Sequence, residues 1–334
     1  MAGTGSGTGL AESAVAGETG LMRRGLVLIV CAQVMWGLSP AFWRLGSDIA
    51  ALDILGHRAL WAFVTVFIIH AIRGSLQAVR TAAREPRTLL LEVFAGVLIG
   101  SNWLVWVWAV TNDRVVEGSL GYFITPLVSV VLGVMVVGER LRRAQWAAVA
   151  LGAASVTWLT VDMGRLPWVS LFLAATFGIY GLIKKTVDRP PLDMLAIELT
   201  VMLPLVLAFL GTRLSGGDDA LVSASGSEYV VLLGSGLFTA VPLLCFAGAV
   251  QRVPLSVIGV IQYLSPSTNF VLGVVAYDEP LGGGRLVGFV LVWLGLAVFT
   301  FDGLRVSRSG AHPDALPRGQ RIGWRSLGQR GQLG

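Results

Sequence analysis

The chain has 334 residues, of which 54% are hydrophobic and only 13% charged, with a mean hydropathy of +0.74 and a formal charge of +5. Soluble proteins carry about a quarter charged residues, so a soluble domain of this composition would lack the polar groups to cover its surface. A soluble enzyme, a nucleic-acid-binding domain and a disordered protein are all excluded, and the chain reads as an all-α polytopic membrane protein.

Residues 1–22 are small and polar without periodicity and are expected to be disordered. They also lack the apolar core of a secretory signal peptide. Arg23 and Arg24 then introduce an apolar run that reaches Trp43 with no small-residue cleavage site, which predicts an uncleaved first span interrupted at Trp36, Gly37, Ser39 and Pro40. Nine further apolar segments follow, at roughly 50–70, 88–110, 115–137, 144–161, 167–183, 193–212, 229–250, 255–277 and 285–303. Ten spans of ~20 residues take ~200 of the about 280 residues between the polar ends. Cys31 and Cys245 both lie inside apolar stretches and read as buried thiols, so no disulfide, metal or cofactor is expected.

Lysine and arginine placement sets the orientation. With the N-terminus inside, 19 of the 25 basic residues fall on the cytoplasmic side, among them Lys184, Lys185 and Arg189 in the loop KKTVDRPP. Both termini are then cytoplasmic, in the cytoplasmic membrane. The tail, residues 304–334, carries six arginines that would lie against anionic lipid.

The chain also resembles itself. SLGYFITPLVSVVLGVMVVGERL around Pro126 lies over GVIQYLSPSTNFVLGVVAYDEPL around Pro266 at an ungapped offset of 140. Pro126/Pro266, the two Val-Leu-Gly-Val runs, Glu139/Glu279 and Leu141/Leu281 are identical. The same offset aligns Leu52-Asp53 with Leu192-Asp193, and an offset of 141 lays WGLSPAFWR over FGIYGLIKK. Five spans per half is an odd number, so equivalent helices cross in opposite directions. Two inverted five-helix repeats, 23–163 and 164–303, are therefore expected. Secondary transporters recur in this form, with the cargo path between the halves.

WGLSPAFWR, ILGHRALW, SNWLVWVWAV, EGSLGYFITPLVSVVLG, GERLRRAQW, YGLIKK and VPLLCFAGAVQRVPLSVIGVIQYLSP together resemble the RarD-type branch of the EamA transporters, in the drug/metabolite transporter superfamily. The resemblance covers roughly residues 22–303. It implies a ten-helix inner-membrane carrier, and its chloramphenicol-sensitive label reports a drug phenotype without defining a cargo.

Ionisable groups inside spans are the first candidates for function, because burying one in lipid costs several kcal/mol unless it meets a partner or cavity. His57 and Arg58 lie in span two, and Glu198, the repeat mate of Arg58, lies in span seven. Arg58 would attract an anionic group of the cargo, and Glu198 or His57 would carry a coupling proton. The alternative is that Arg58 and Glu198 snorkel to opposite surfaces. In span three Asn102 and Trp106 share a helix face suited to stacking an aromatic or cationic cargo. Tyr122, Gln262, Tyr263 and Asn269 flank the duplicated prolines and complete the expected path, with Trp36. Pro40, Pro126 and Pro266 are candidate hinges, or else ordinary packing kinks. Glu139 and Glu279, at span ends, suit a loop or helix-start role.

The expected function is a secondary carrier working by alternating access, coupled to protons or to exchange. A non-transporting scaffold and a membrane-embedded enzyme are the alternatives, and a channel would show a repeated filter sequence. The enzyme lacks a nucleophile–base pair and a G-x-S-x-G elbow, and no Walker A sequence is present for ATP-driven transport. The partners expected are a small-molecule cargo, membrane lipid and protons, with no nucleic acid; a homodimer stays open.

Overall fold

A computed structural model of the protein describes residues 6–112, 115–163, 168–224, 226–276 and 283–308. Helices account for nearly all of them, because an apolar chain in lipid must satisfy every backbone N–H and C=O within the segment. In order these are α1 (Ser6–Trp43), α2 (Ala51–Ile72), α3 (Leu76–Arg84), α4 (Pro86–Thr111), α5 (Val115–Met135), α6 (Arg143–Met163) and α7 (Trp168–Thr186). There follow α8 (Pro191–Ser215), α9 (Ala220–Ser223), α10 (Ser227–Val250), α11 (Leu255–Gln262), α12 (Leu264–Val271) and α13 (Gly283–Arg308). Pro86 and Pro191 stand in the first turns of α4 and α8, where a missing N–H costs nothing.

Among the described residues seven helical stretches are long and apolar enough to cross a membrane, in α1, α2, α4, α6, α7, α8 and α10. Two shorter apolar stretches, Gly121–Met135 and Leu286–Asp302, belong to α5 and α13. The ninth expected span is split: α11 ends at Gln262, four residues before Pro266, the residue whose carbonyl a proline cannot bond.

Helices α2 and α8 pack antiparallel, since Asp53 at the start of α2 meets Arg213 at the end of α8 while His70 at the end of α2 meets Asp193 at the start of α8. Helix α1 packs on α10 and α12, and α7 packs on α4 and α5. Helix α2 also lies on α10, α8 on α4, α5 on α11 and α6 on α13. The main core joins Ile29, Val66, Ile99, Tyr180, Leu199, Phe246 and Ile258, all fully buried. Large apolar side chains such as Val161, Leu205 and Phe301 remain on the exterior, as a lipid-facing surface requires. Two glycines let helices approach closely. A β-carbon on Gly37 would lie 2.6 Å from Cβ of Thr268, and one on Gly178 would lie 2.5 Å from Val128.

Several expectations need correcting. The segment expected to be disordered, residues 1–22, is helical from Ser6 onward. LAESAVA contains good helix formers, and lengthening an existing span needs no new helix nucleus. Helix α1 is not broken at Pro40: the hydroxyl of Ser39 donates to the carbonyl of Trp36 at 2.7 Å, satisfying the acceptor that Pro40 leaves free. Pro126, expected to act as a hinge or a packing kink, lies inside α5. Lys184 is no loop residue but sits in the last turn of α7, almost wholly buried. At the other end α13 runs on to Arg308, and Arg318, Arg321, Arg325 and Arg330 lie outside the described residues, as does Glu279.

Candidate functional site

Arg58 stands two turns into α2. Its guanidinium carbon lies 4.4 Å from the ring centroid of Trp103, on α4, and 5.4 Å from that of Trp43, at the end of α1. Its Nε donates to Oγ1 of Thr239, on α10, at 3.2 Å. Cation–π contacts of this kind contribute about 0.5–2 kcal/mol each, most where water is excluded. Among the described residues no carboxylate pairs with Arg58, which stays only partly buried. One helical turn beyond Trp103, Trp106 meets the ring of Tyr122 edge-on at 5.2 Å. The Tyr122 hydroxyl is within electrostatic reach of the guanidinium, and the residue keeps 44% of its surface accessible. The arrangement can receive an anion on the side the indole rings leave free.

A second charged cluster lies where α4, α7 and α8 meet. Lys184 Nζ donates to Glu92 of α4 and to Glu198 of α8, and the three side chains are 1%, 0% and 0% exposed. The ammonium also lies 5.3 Å from the ring centroid of Tyr180, one turn earlier in α7. Oε1 of Glu92 and Oε2 of Glu198 are buried without a hydrogen-bond donor. Gly96, one turn beyond Glu92, allows this approach, since a β-carbon there would lie 3.2 Å from the carbonyl oxygen of Glu198.

Two ionic clasps flank the α2–α8 pair. Arg213 binds Asp53 through Nε at 3.0 Å and Nη2 at 2.9 Å, and His57 faces Asp219 at 3.6 Å. At the opposite end Asp193 faces His70 at 3.7 Å, and Arg73 has no ion pair among the described residues. At that end too, Glu139 accepts from the backbone N–H of Leu255 at 2.6 Å and of Ser256 at 2.8 Å. A carboxylate there satisfies open donors of α11 and complements its dipole. Lys185 Nζ lies 4.0 Å from Glu139 and donates to the carbonyl of Val253 at 2.8 Å. Glu139 thus has the helix-start role expected of it, on a helix of the other half.

Of the predicted path residues, Arg58, Trp106 and Tyr122 come together. Asn102 instead ties α4 to α7, its Nδ2 donating to the Leu173 carbonyl at 2.9 Å and to Thr176 Oγ1 at 2.8 Å. Trp36 packs edge-on against Phe177 at 5.6 Å. Gln262 accepts from Ser129 at 2.9 Å, and the Tyr263 hydroxyl donates to the Phe123 carbonyl at 3.2 Å, both joining the α11–α12 segment to α5. Asn269 is half-buried and its Oδ1 has no donor. Sequence reasoning missed Glu92, Lys184, Trp43 and Thr239 as contributors. Glu92, the one acid in LLLEVFAGVLIG, was detectable by the same rule that singled out Glu198.

Comparison with known proteins agrees with this architecture. The EamA-like transporter family matches residues 23–161 and again residues 166–301. Protein RarD of Streptomyces exfoliatus is 42% identical over 86% of this chain and 91% of its own length. Protein RarD of Escherichia coli (strain K12) is 36% identical over 86% of this chain and 97% of its own, and the uncharacterized transporter YojE of Bacillus subtilis is similar to the same degree. One solved crystal structure shares the fold with a TM-score of 0.65 at 18% identity, over 84% of this chain and 99% of that one.

Proposed function

Because the chain belongs to the EamA-like transporter family, as an integral membrane protein of the RarD type, we propose that it carries a small metabolite or drug bearing an anionic group across the cytoplasmic membrane by alternating access. Arg58 is the observation that carries this reading. A cation left without a counter-ion inside a lipid-embedded bundle costs several kcal/mol. Trp43, Trp103 and Thr239 fix its orientation without neutralising it, so an anionic cargo completes the site.

We read the chain as ten spans in two inverted halves with both termini cytoplasmic. Supporting this, the family matches twice, and helix contacts recur in exchanged pairs: α1 on α10 with α7 on α4, α2 on α10 with α8 on α4, and α5 on α7 with α12 on α1. Gly37 and Gly178 stand 141 apart, and their neighbours Val128 and Thr268 stand 140 apart. Alternating access draws support from the two ends of α2 and α8. Asp53 and Arg213 are paired, whereas Asp193 and Arg73, their counterparts at an offset of 140, are not. An inverted repeat that exchanges conformations closes one end while opening the other. Glu198 or His57 carries the coupling proton, or transport proceeds by exchange.

Proteoliposomes offered labelled carboxylates, phosphates and uncharged compounds test the assignment. Uptake is expected for an anionic class, abolished by Arg58→Gln and partly kept by Arg58→Lys, with each variant still inserted in the membrane. Uptake unchanged in Arg58→Gln overturns it.

A further inference from the structure

The cluster of Glu92, Lys184 and Glu198 holds two acids and one base where water does not reach. We propose that Glu92 and Glu198 share a single exchangeable proton, so that with Lys184 they form a proton-binding site joining the two halves of the chain. This deepens the reading of Glu198 as a coupling residue and rests on it for its role in transport.

Charge counting leads to the proton. With all three groups ionised the cluster carries one net negative charge, and an uncompensated charge in a low-dielectric interior is costly enough that the group neutralises instead. The groups facing Glu198 are Lys184 and Tyr180 from α7 and Glu92 from α4. Helices α2 and α10 also pack on α8, yet among the described residues they bring no charged side chain into contact with Glu198. The only neighbouring cation is therefore already divided between two carboxylates. A proton on either one gives a neutral cluster and supplies an O–H donor to a site where Glu92 Oε1 and Glu198 Oε2 otherwise have none. Both carboxylates contact the same ammonium, so the proton belongs to the pair.

The placement links the proton to movement. Glu92 comes from the first half of the chain, and Lys184 and Glu198 come from the second. While α4 lies against α7 and α8, losing the proton leaves a buried negative charge, so it is retained. When the halves separate enough to admit water, that charge is solvated and the proton leaves as hydronium. Each cycle takes one proton from water and returns one to water, and no other reactant is required.

The infrared C=O stretch of protonated carboxyl groups, recorded on purified protein in lipid across a pH series, tests this without a known cargo. Wild-type protein is expected to show a band worth one carboxyl group that is lost as pH rises. Glu92→Gln and Glu198→Gln should each abolish it, because the remaining carboxylate then pairs with Lys184 and needs no proton. Lys184→Met should double it. If that variant does not accumulate, the Glu92→Gln/Lys184→Met double variant should retain a one-carboxyl band, from Glu198 alone. A band untouched by both glutamine variants, or missing from the wild type, overturns the shared proton. Arg58→Gln serves as the control that leaves the band intact. A correct band in protein that moves no cargo would remove the carrier reading while leaving the proton site, and active transport with an unresponsive band would do the reverse.

Discussion

Arg58 and Glu198 occupy equivalent positions 140 residues apart, yet their surroundings are opposite. Glu198 is fully enclosed with a lysine and a second carboxylate, whereas Arg58 is held by two indoles and a threonine hydroxyl and is only partly buried. The first arrangement is electrostatically complete apart from one proton. The second has no carboxylate partner among the described residues, and the proposed cargo would supply one. Matching points of the sequence repeat thus carry charges of opposite sign, one held by aromatic rings and the other inside an ionic cluster.

Removing the cation from each place should separate them most clearly. Lys184→Met leaves two buried carboxylates without their partner and is expected to cost about 3–5 kcal/mol at neutral pH. Thermal unfolding in detergent measures this, and the deficit should shrink on acidification as the carboxylates take up protons. Arg58→Met removes a charge that no carboxylate balances, so the variant should be at least as stable as the wild type by the same measurement. Equal losses would erase the distinction.

A smaller effect comes from the glycines behind the two places, Gly96 and Gly236, which also stand 140 apart. A β-carbon on Gly236 would run into the backbone of Trp61, one turn from Arg58, while one on Gly96 would only press on the Glu198 carbonyl. Gly236→Ala is expected to cost about 1–3 kcal/mol and Gly96→Ala less, by the same unfolding measurement. The reverse order would show that α4, not α10, is the more tightly seated helix.

The smallest effect lies outside both. Arg189 and Thr88 hydrogen-bond the Glu85 carboxylate at the start of α4, and Arg189 chiefly holds it below the usual carboxylate range. Its contribution is present above that range and lost as pH falls through the lowered value. Wild type and Glu85→Gln should therefore differ slightly in unfolding temperature at neutral pH and converge in acid.

Much of this was legible in the sequence. Hydropathy located the apolar helices, Pro266 is the one of three proposed hinge prolines beside which a described helix ends, and the rarity of charge inside spans singled out Arg58 and Glu198. What could not be read was which helix faces which. Lys184 stands in a run of basic and turn residues that reads as a loop, and only the last turn of α7 buries it against α4. Trp43 and Thr239 are ordinary span residues until α1 and α10 bring them to Arg58. The break expected at Pro40 failed because a hydroxyl one residue away repairs the carbonyl.

Glu139 carries a consequence for how the chain is made. It is synthesised 116 residues before the Leu255 amide it caps, and Gly133, which leaves room for its carboxylate, is earlier still. Throughout insertion of the first half, then, the turn between α5 and α6 lacks the amides that its carboxylate caps. The clasp can close only after α10 has been threaded and its following turn has arrived. This contact between the halves is thus a late event in biogenesis, and an N-terminal half made alone would stop one step short of it.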